Sequence, residues 1–141
     1  MDREIEFRGK DKDNEWVYGY YHKEIRTSLA LQEYGINEMA TYYIHTVINH
    51  FPFKVNVKSE TISQYTGLKD KNGIKVYEGD IVMFDYKWTK SNETGVVTWN
   101  KDNASFQIKG HIPSSSMKHL NQMKVIGNIY DNKEMIEKVE E

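Results

Sequence analysis

The chain opens on alternation. Ile5 and Phe7 stand between charged Glu4, Glu6 and Arg8, the period-two pattern of a half-buried strand. The polar run GKDKDNE (Gly9–Glu15) separates them from WVYGYY (Trp16–Tyr21), so this opening predicts a β-hairpin. Gly19, between two tyrosines, predicts a bulge or a close approach of another backbone. IRTSLALQEYG (Ile25–Gly35) reads as a short helix capped by Thr27 or Ser28 and stopped by Gly35. MATYYIHTVINHF (Met39–Phe51) is β-branched and aromatic, which predicts strand, with Pro52 interrupting it. Alternation returns over Lys54–Gly67, with Val55 and Val57 on one side.

The second half is more sharply punctuated. Asp70-Lys71-Asn72-Gly73 has Asp at the first turn position and Gly at the fourth, which suits a type I turn followed by a left-handed Gly. Ile74, Val76 and Tyr77 start the return strand, Glu78-Gly79-Asp80 breaks it, and IVMFDYKW (Ile81–Trp88) begins a longer one. Val82, Phe84, Tyr86 and Trp88 make one wholly apolar face of that strand. On the other face, Ile81 and Met83 give way to Asp85 and Lys87. GVVTW (Gly95–Trp99) and SFQIK (Ser105–Lys109) flank a turn at Asn100–Ala104, HIPSSSMKH reads as loop, and MKVIGNIY (Met123–Tyr130) closes the strands. Asp131 with Glu134 three residues later predicts a capped final helix carrying Met135, Ile136 and Val139 on one side.

Short strands with tight links and few helical segments predict a mainly β, β-rich α+β fold. The expected arrangement is a small bent barrel, SH3-like or OB-like, with an N-terminal hairpin lobe and a short C-terminal helix. The boundary is expected near residue 60, giving residues 1–60 as the lobe with its middle segment and residues 61–141 as barrel plus helix, packed as one compact unit. Aromatic residues make up 13% of the 141 positions, which suits the interior of such a fold.

Charge and composition narrow the function. A net charge of −2 argues against a large nucleic-acid footprint, because such binding rests on neutralising phosphates. The absence of cysteine excludes a disulfide framework, thiolate metal sites and cysteine catalysis. The start, MDREIEFRGKDKD, is charged from its second residue, and no apolar run reaches the ~18–20 residues that span a bilayer. A cytoplasmic protein without membrane contact is the expectation.

Candidate chemistry is sparse. Glu78 and Asp80 are closely spaced carboxylates beside a strand start, and a paired Mg²⁺ site is the sharp reading of them. Turn chemistry is the favoured one, with Gly79 at positive φ and Asp80 accepting backbone N–H groups. Gly67 to Gly73 is one residue too long for a Walker phosphate loop and lacks the following Lys-Ser/Thr and helix. His22, His45, His50, His111 and His119 include no helical i, i+4 pair, so surface or core roles are expected rather than a metal site. Ser114–Ser116 beside His111 has no nucleophile-elbow motif around it. Tyr86, Trp88, Trp99 and Phe106 with Lys87, Lys101 and Lys109 form a candidate binding face of the kind on which single-stranded bases stack. The competing role of those aromatics is core or subunit interface. No catalytic constellation and no cofactor motif is present in this reading.

IEFRGKDKDNEWVYGYY, TISQYTGLKDKNGIKVYEGDIV, GVVTWN and VIGNIYDNKEMI resemble, in that order, the blocks of the YopX family, found largely in bacteriophages and prophages. The resemblance spans roughly residues 4–21 and 61–136, and the central LALQEYGINEMATYYIHTVINHFPF departs from the shorter, variable middle of that family. It implies a small phage-encoded protein of the host cytoplasm, with no established activity and no catalytic residues to carry over. The leading expectation is therefore a non-catalytic accessory module that binds a host or phage protein, or itself through strand edges and exposed aromatics. A weak single-stranded nucleic-acid binder is the alternative, and a metal-dependent nuclease comes third.

Overall fold

The computed structural model describes residues 2–86, 92–110, 115–116 and 120–140, with backbone alone at residues 86, 115–116, 120–121 and 137–140. The fold is mainly β, and among the described residues every strand pairing is antiparallel. The chain divides into two compact units, Glu4–Gln64, and Tyr65–Glu141 together with Met1–Arg3.

In the first unit β1 (Phe7–Lys10), β2 (Trp16–Arg26), β3 (Met39–Ile48) and β4 (Phe51–Asn56) pair in the order β4-β3-β2-β1. The opening residues of β5 (Ser63–Lys69) pair with β1 at Phe7↔Gln64 and Arg8↔Ser63. The expected hairpin is β1–β2, its turn tied by Asp11 Oδ1, which accepts from the N–H groups of Asp13 and Glu15 at 2.9 and 3.0 Å. The helix expected over Ile25–Gly35 is shorter. Ser28 Oγ caps α1 (Leu29–Glu33) by accepting from Leu31 N, and Ile25 belongs to β2, where it pairs with Ala40.

Pro52 does not interrupt the strand. The chain reverses at Asn49-His50, whose φ values of 50° and 70° give the two positive-φ residues of a tight hairpin turn. Pro52 then lies inside β4, at the end of the strand order, where its missing N–H costs the sheet little. Gly19 is the close-approach position: a Cβ there would overlap the His45 carbonyl oxygen. Ile44 and Val57 are buried, and Phe7, Tyr21 and Tyr42 form a run of ring contacts at 5.6 and 6.4 Å. Arg8 and Lys10 are buried beside Trp16, with Arg8 Cζ 4.4 Å and Lys10 Nζ 5.0 Å from its ring centroid.

In the second unit β5 pairs with β6 (Lys75–Tyr77) at Tyr65↔Tyr77 and Lys69↔Lys75. A five-stranded sheet follows in the order β10-β9-β8-β7-β11. It comprises β7 (Asp80–Tyr86), β8 (Asn92–Asn100), β9 (Ser105–Gly110), β10 (Ser115–Ser116) and β11 (Leu120–Asn128). Its core is Val76, Val82, Phe84, Val97 and Ile108, packed against Phe106, Met123 and Val125. Val82 and Phe84 are thus the inward face that the alternation of IVMF predicts. Among the described residues no pairing joins β10 to β11, so the strands form an open-ended order rather than a closed barrel. Ser115–Ser116, expected as loop, pair with Ile108 and Gln107 of β9. The closing strand begins at Leu120 rather than Met123, because its first residues extend the β7 pairing. The final helix, α2 (Lys133–Glu140), starts past the expected cap; Asp131 Oδ2 instead accepts from Asn128 Nδ2 at 3.0 Å.

Candidate functional site

The Glu78–Asp80 turn is the first place to look for chemistry. Gly79 has φ +87°, where an L side chain is strained, and a Cβ there would also press on Tyr130 at 3.2 Å. Its N–H donates to Val97 O at 2.8 Å, and its carbonyl accepts from Ile129 N at 2.9 Å, so the turn is stitched to β8 and to the end of β11. Asp80 is only 2% exposed, and its Oδ2 accepts from Tyr77 N at 2.7 Å. The carboxylate therefore holds the turn shut across β6 and β7. Glu78 is half-buried beside it. Among the described residues no group of three or more His, Asp or Glu side chains is arranged to hold a metal ion.

Asp70 has a larger role than its turn position predicts. The expected turn is there, with Gly73 N donating to Asp70 O at 3.0 Å and Gly73 at φ +80°. Asp70 Oδ1 accepts from Asn72 N and Ile74 N at 2.8 and 2.9 Å, while Oδ2 accepts from Val125 N on β11 at 3.0 Å. Lys71 N donates to Met123 O at 2.9 Å, so the turn is docked on β11 at two points. Burial is the largest influence on the Asp70 carboxyl and favours its neutral form. The N–H groups of Val125, Ile74 and Asn72 and the charge of Lys124 outweigh it, and the group ionises below its ordinary range.

The aromatic and lysine set is only partly assembled. Trp99 and Phe106 are directly opposite on β8 and β9, in edge-to-face contact with centroids 5.0 Å apart. They share a face with Val97 and Ile108, which are buried, so this is the outer margin of the core, with Trp99 48% exposed. Lys109 pairs with Val96 and by strand alternation lies on the opposite face, and Lys101 is exposed in the turn after β8. Lys87, Trp88, the side chain of Tyr86, His111, Ser114 and His119 lie outside the described residues.

The structure also brings together a polar group that sequence reasoning missed. On one face of β2–β3–β4, His22 Nδ1 and His45 Nε2 are 2.9 Å apart, with ring centroids at 5.1 Å. His22 also packs on Tyr43 at 5.9 Å. Lys54 Nζ donates to Glu24 Oε1 at 3.0 Å and lies 4.5 Å from the centroid of Tyr43. The hydrogen bond from Lys54 holds the Glu24 carboxyl below its ordinary range. The signal in the sequence was the parity of His22 on β2 and His45 on β3, which is meaningful only once Tyr20↔His45 is known as the register. A cavity of about 540 Å³ near Asp11 and Lys54–Lys58 offers less, since Asp11 is committed to the hairpin turn and Lys58 Nζ to Asn14 Oδ1.

The chain is thus mainly β and divides into two units, with the Asp70 and Asp80 carboxylates accepting backbone N–H groups. The chain belongs to the YopX protein family, whose model matches residues 6–137. It is similar in fold to the crystal structure of protein EF1440 from Enterococcus faecalis, at 21% identity and a TM-score of 0.50, over 96% of this chain and 99% of that one. No curated protein matches the sequence. Among the described residues no helix is long and apolar enough to cross a membrane.

Proposed function

We propose that the protein is a non-catalytic phage or prophage accessory module of the host cytoplasm, acting by binding a protein partner or a second copy of itself. The observation that carries this reading is the β3–β4 hairpin. Val47, Ile48, Phe51 and Phe53 are 68, 52, 66 and 48% exposed there. By register Ile48, Phe51 and Phe53 share one face of the hairpin, with Val47 on the other, and that shared apolar face gains by being covered. β4 is also the last strand of its order, so one row of its backbone groups has no strand partner among the described residues, and such an edge favours pairing with another chain. The engagement of Asp80 by Tyr77 N supports a structural rather than catalytic role for the acidic turn.

The test is light scattering on a concentration series of the wild type and of Phe51→Glu/Phe53→Glu, beside capture from infected host lysate with and without nuclease. Self-association, or nuclease-resistant capture of one protein, that is lost in the double variant supports the reading. A monomer at every concentration that captures no protein overturns it. Single-stranded nucleic-acid binding is the second reading, favoured by the half-exposed indole of Trp99 beside Phe106. It predicts quenching of tryptophan fluorescence by oligonucleotides at low salt, with steep loss as salt rises.

A further inference from the structure

We propose that His22 and His45 form a chelating site for a divalent transition cation of the Zn²⁺, Ni²⁺ or Cu²⁺ class on the sheet of the first unit. The two imidazoles come from adjacent, regularly paired strands. Tyr20↔His45 and His22↔Tyr43 are register pairs, so the histidines are diagonal neighbours on one face of regularly paired backbone. Their nitrogens, Nδ1 of His22 and Nε2 of His45, converge at 2.9 Å. In the hydrogen-bonded pair the tautomers are complementary, so that one of these two nitrogens carries the proton and donates while the other presents its lone pair.

A metal replaces that shared proton. Both rings are neutral ligands, the ring proton between them moves to the outer nitrogen of its own ring, and the two lone pairs meet the cation. With metal–nitrogen distances of about 2.0–2.1 Å and a tetrahedral angle, the nitrogens stand about 3.3 Å apart, so the pair opens by a few tenths of an ångström and both rings swing until lone pairs that now face each other converge on one point. That adjustment is within reach of side-chain torsions, with His45 exposed to solvent. A donor set of two imidazoles selects borderline transition cations over Mg²⁺ and Ca²⁺, which take oxygen.

The neighbours set the strength. Glu24, two residues along β2 on the same face, places a negative charge near His22 but is held by Lys54 at 3.0 Å. Lys54 itself lies over Tyr43, beside His22, and its positive charge opposes the cation. No third His, Asp or Glu completes a metal-binding group among the described residues, so water fills the rest of the coordination sphere. The site is therefore an exposed two-ligand clip and not a closed structural centre.

Titration calorimetry of the full chain with ZnCl₂ and with MgCl₂, together with NMR of the histidine ring nitrogens, tests this. The expected result is one Zn²⁺ per chain, shifts of Nδ1 of His22 and Nε2 of His45, and no response to MgCl₂. His22→Ala and His45→Ala are each expected to weaken Zn²⁺ binding by about tenfold or more, with His50→Ala unchanged. Ring shifts in the unmutated protein keep the test decisive if a variant misfolds. Absence of Zn²⁺ binding, unmoved His22 and His45 rings, or folded alanine variants that bind Zn²⁺ as tightly as the wild type would overturn the proposal.

Discussion

Replacing Asp70 tests how the second unit is held together. Its carboxylate accepts three backbone N–H groups, two within its own turn and one from Val125, far along the chain on β11. Hydrogen bonds to a charged group contribute roughly 1.5–3 kcal/mol each when desolvated, and these are part-buried, so about 1 kcal/mol apiece is the working value. Asp70→Ala is then expected to cost about 3 kcal/mol, which for a chain of this size lowers the Tm by roughly 10 °C. Asp70→Asn keeps one oxygen for the turn and leaves Val125 N facing an amide NH₂, so about half that loss is expected, roughly 1–2 kcal/mol.

The pH dependence gives an independent reading of the same group. Asp70 ionises below its ordinary value when folded. Its contribution is therefore fully present above the unfolded carboxyl pKa of about 3.9 and is lost as pH falls through the lower, folded value. Urea unfolding of wild type and Asp70→Asn from neutral pH into acid is the assay. The gap between the curves is expected to be widest at neutral pH and to close in strong acid. If Asp70→Asn matched the wild type at pH 7 and the two acid limbs superimposed, the docking role assigned to this carboxylate would be refuted.

Three further substitutions probe neighbouring parts of the frame. Asp80→Ala leaves the buried Tyr77 N–H without its 2.7 Å acceptor and is expected to destabilise by about 1–3 kcal/mol in thermal melts; retained stability would reopen a functional role for this acid. Gly79→Ala combines φ +87° with a 3.2 Å approach to Tyr130, and a loss of at least about 1–2 kcal/mol is expected, read as a lowered denaturant midpoint at unchanged slope. Phe84→Ala empties a buried ring position in the core with Val76, Val82, Val97 and Ile108 and is expected to cost about 3–5 kcal/mol, whereas Trp99→Ala at the half-exposed margin costs clearly less.

The elements that could be read from sequence were those with local causes. The Asp70–Gly73 turn was legible because Asp self-bonding and a left-handed Gly need only four residues. The inward face of Val82 and Phe84 followed from alternation alone. The β3–β4 reversal was misplaced at Pro52, because Asn49-His50 is a weak turn signal and histidine at positive φ is uncommon. Pro52 predicts a break from its chemistry alone, and the edge position of β4 is what makes it tolerable.

The candidate sites divide in the same way. The positive φ of Gly79 between Glu78 and Asp80 was legible, since that geometry lies within three consecutive residues. The lysines and aromatics of the second unit read as one face, but the pairing of Lys109 with Val96 sets it opposite Trp99 and Phe106, a parity that depends on the β8–β9 register. The His22–His45 contact was invisible for a stronger reason. Nothing in a segment of strands states which residue of one faces which residue of the next until turns, bulges and core burial have settled the register.

By itself, then, the sequence determined a mainly β chain, its principal turns, the alternation of its strands and its resemblance to the YopX family, because each rests on short-range pattern. Tertiary structure alone decided that β10 and β11 end an open strand order, that Asp70 fastens a turn to Val125, and that two histidines separated by an entire helix and loop meet at 2.9 Å. Those are long-range pairings, and the free energy that selects them comes from burying the whole core at once, not from any residue's own preference.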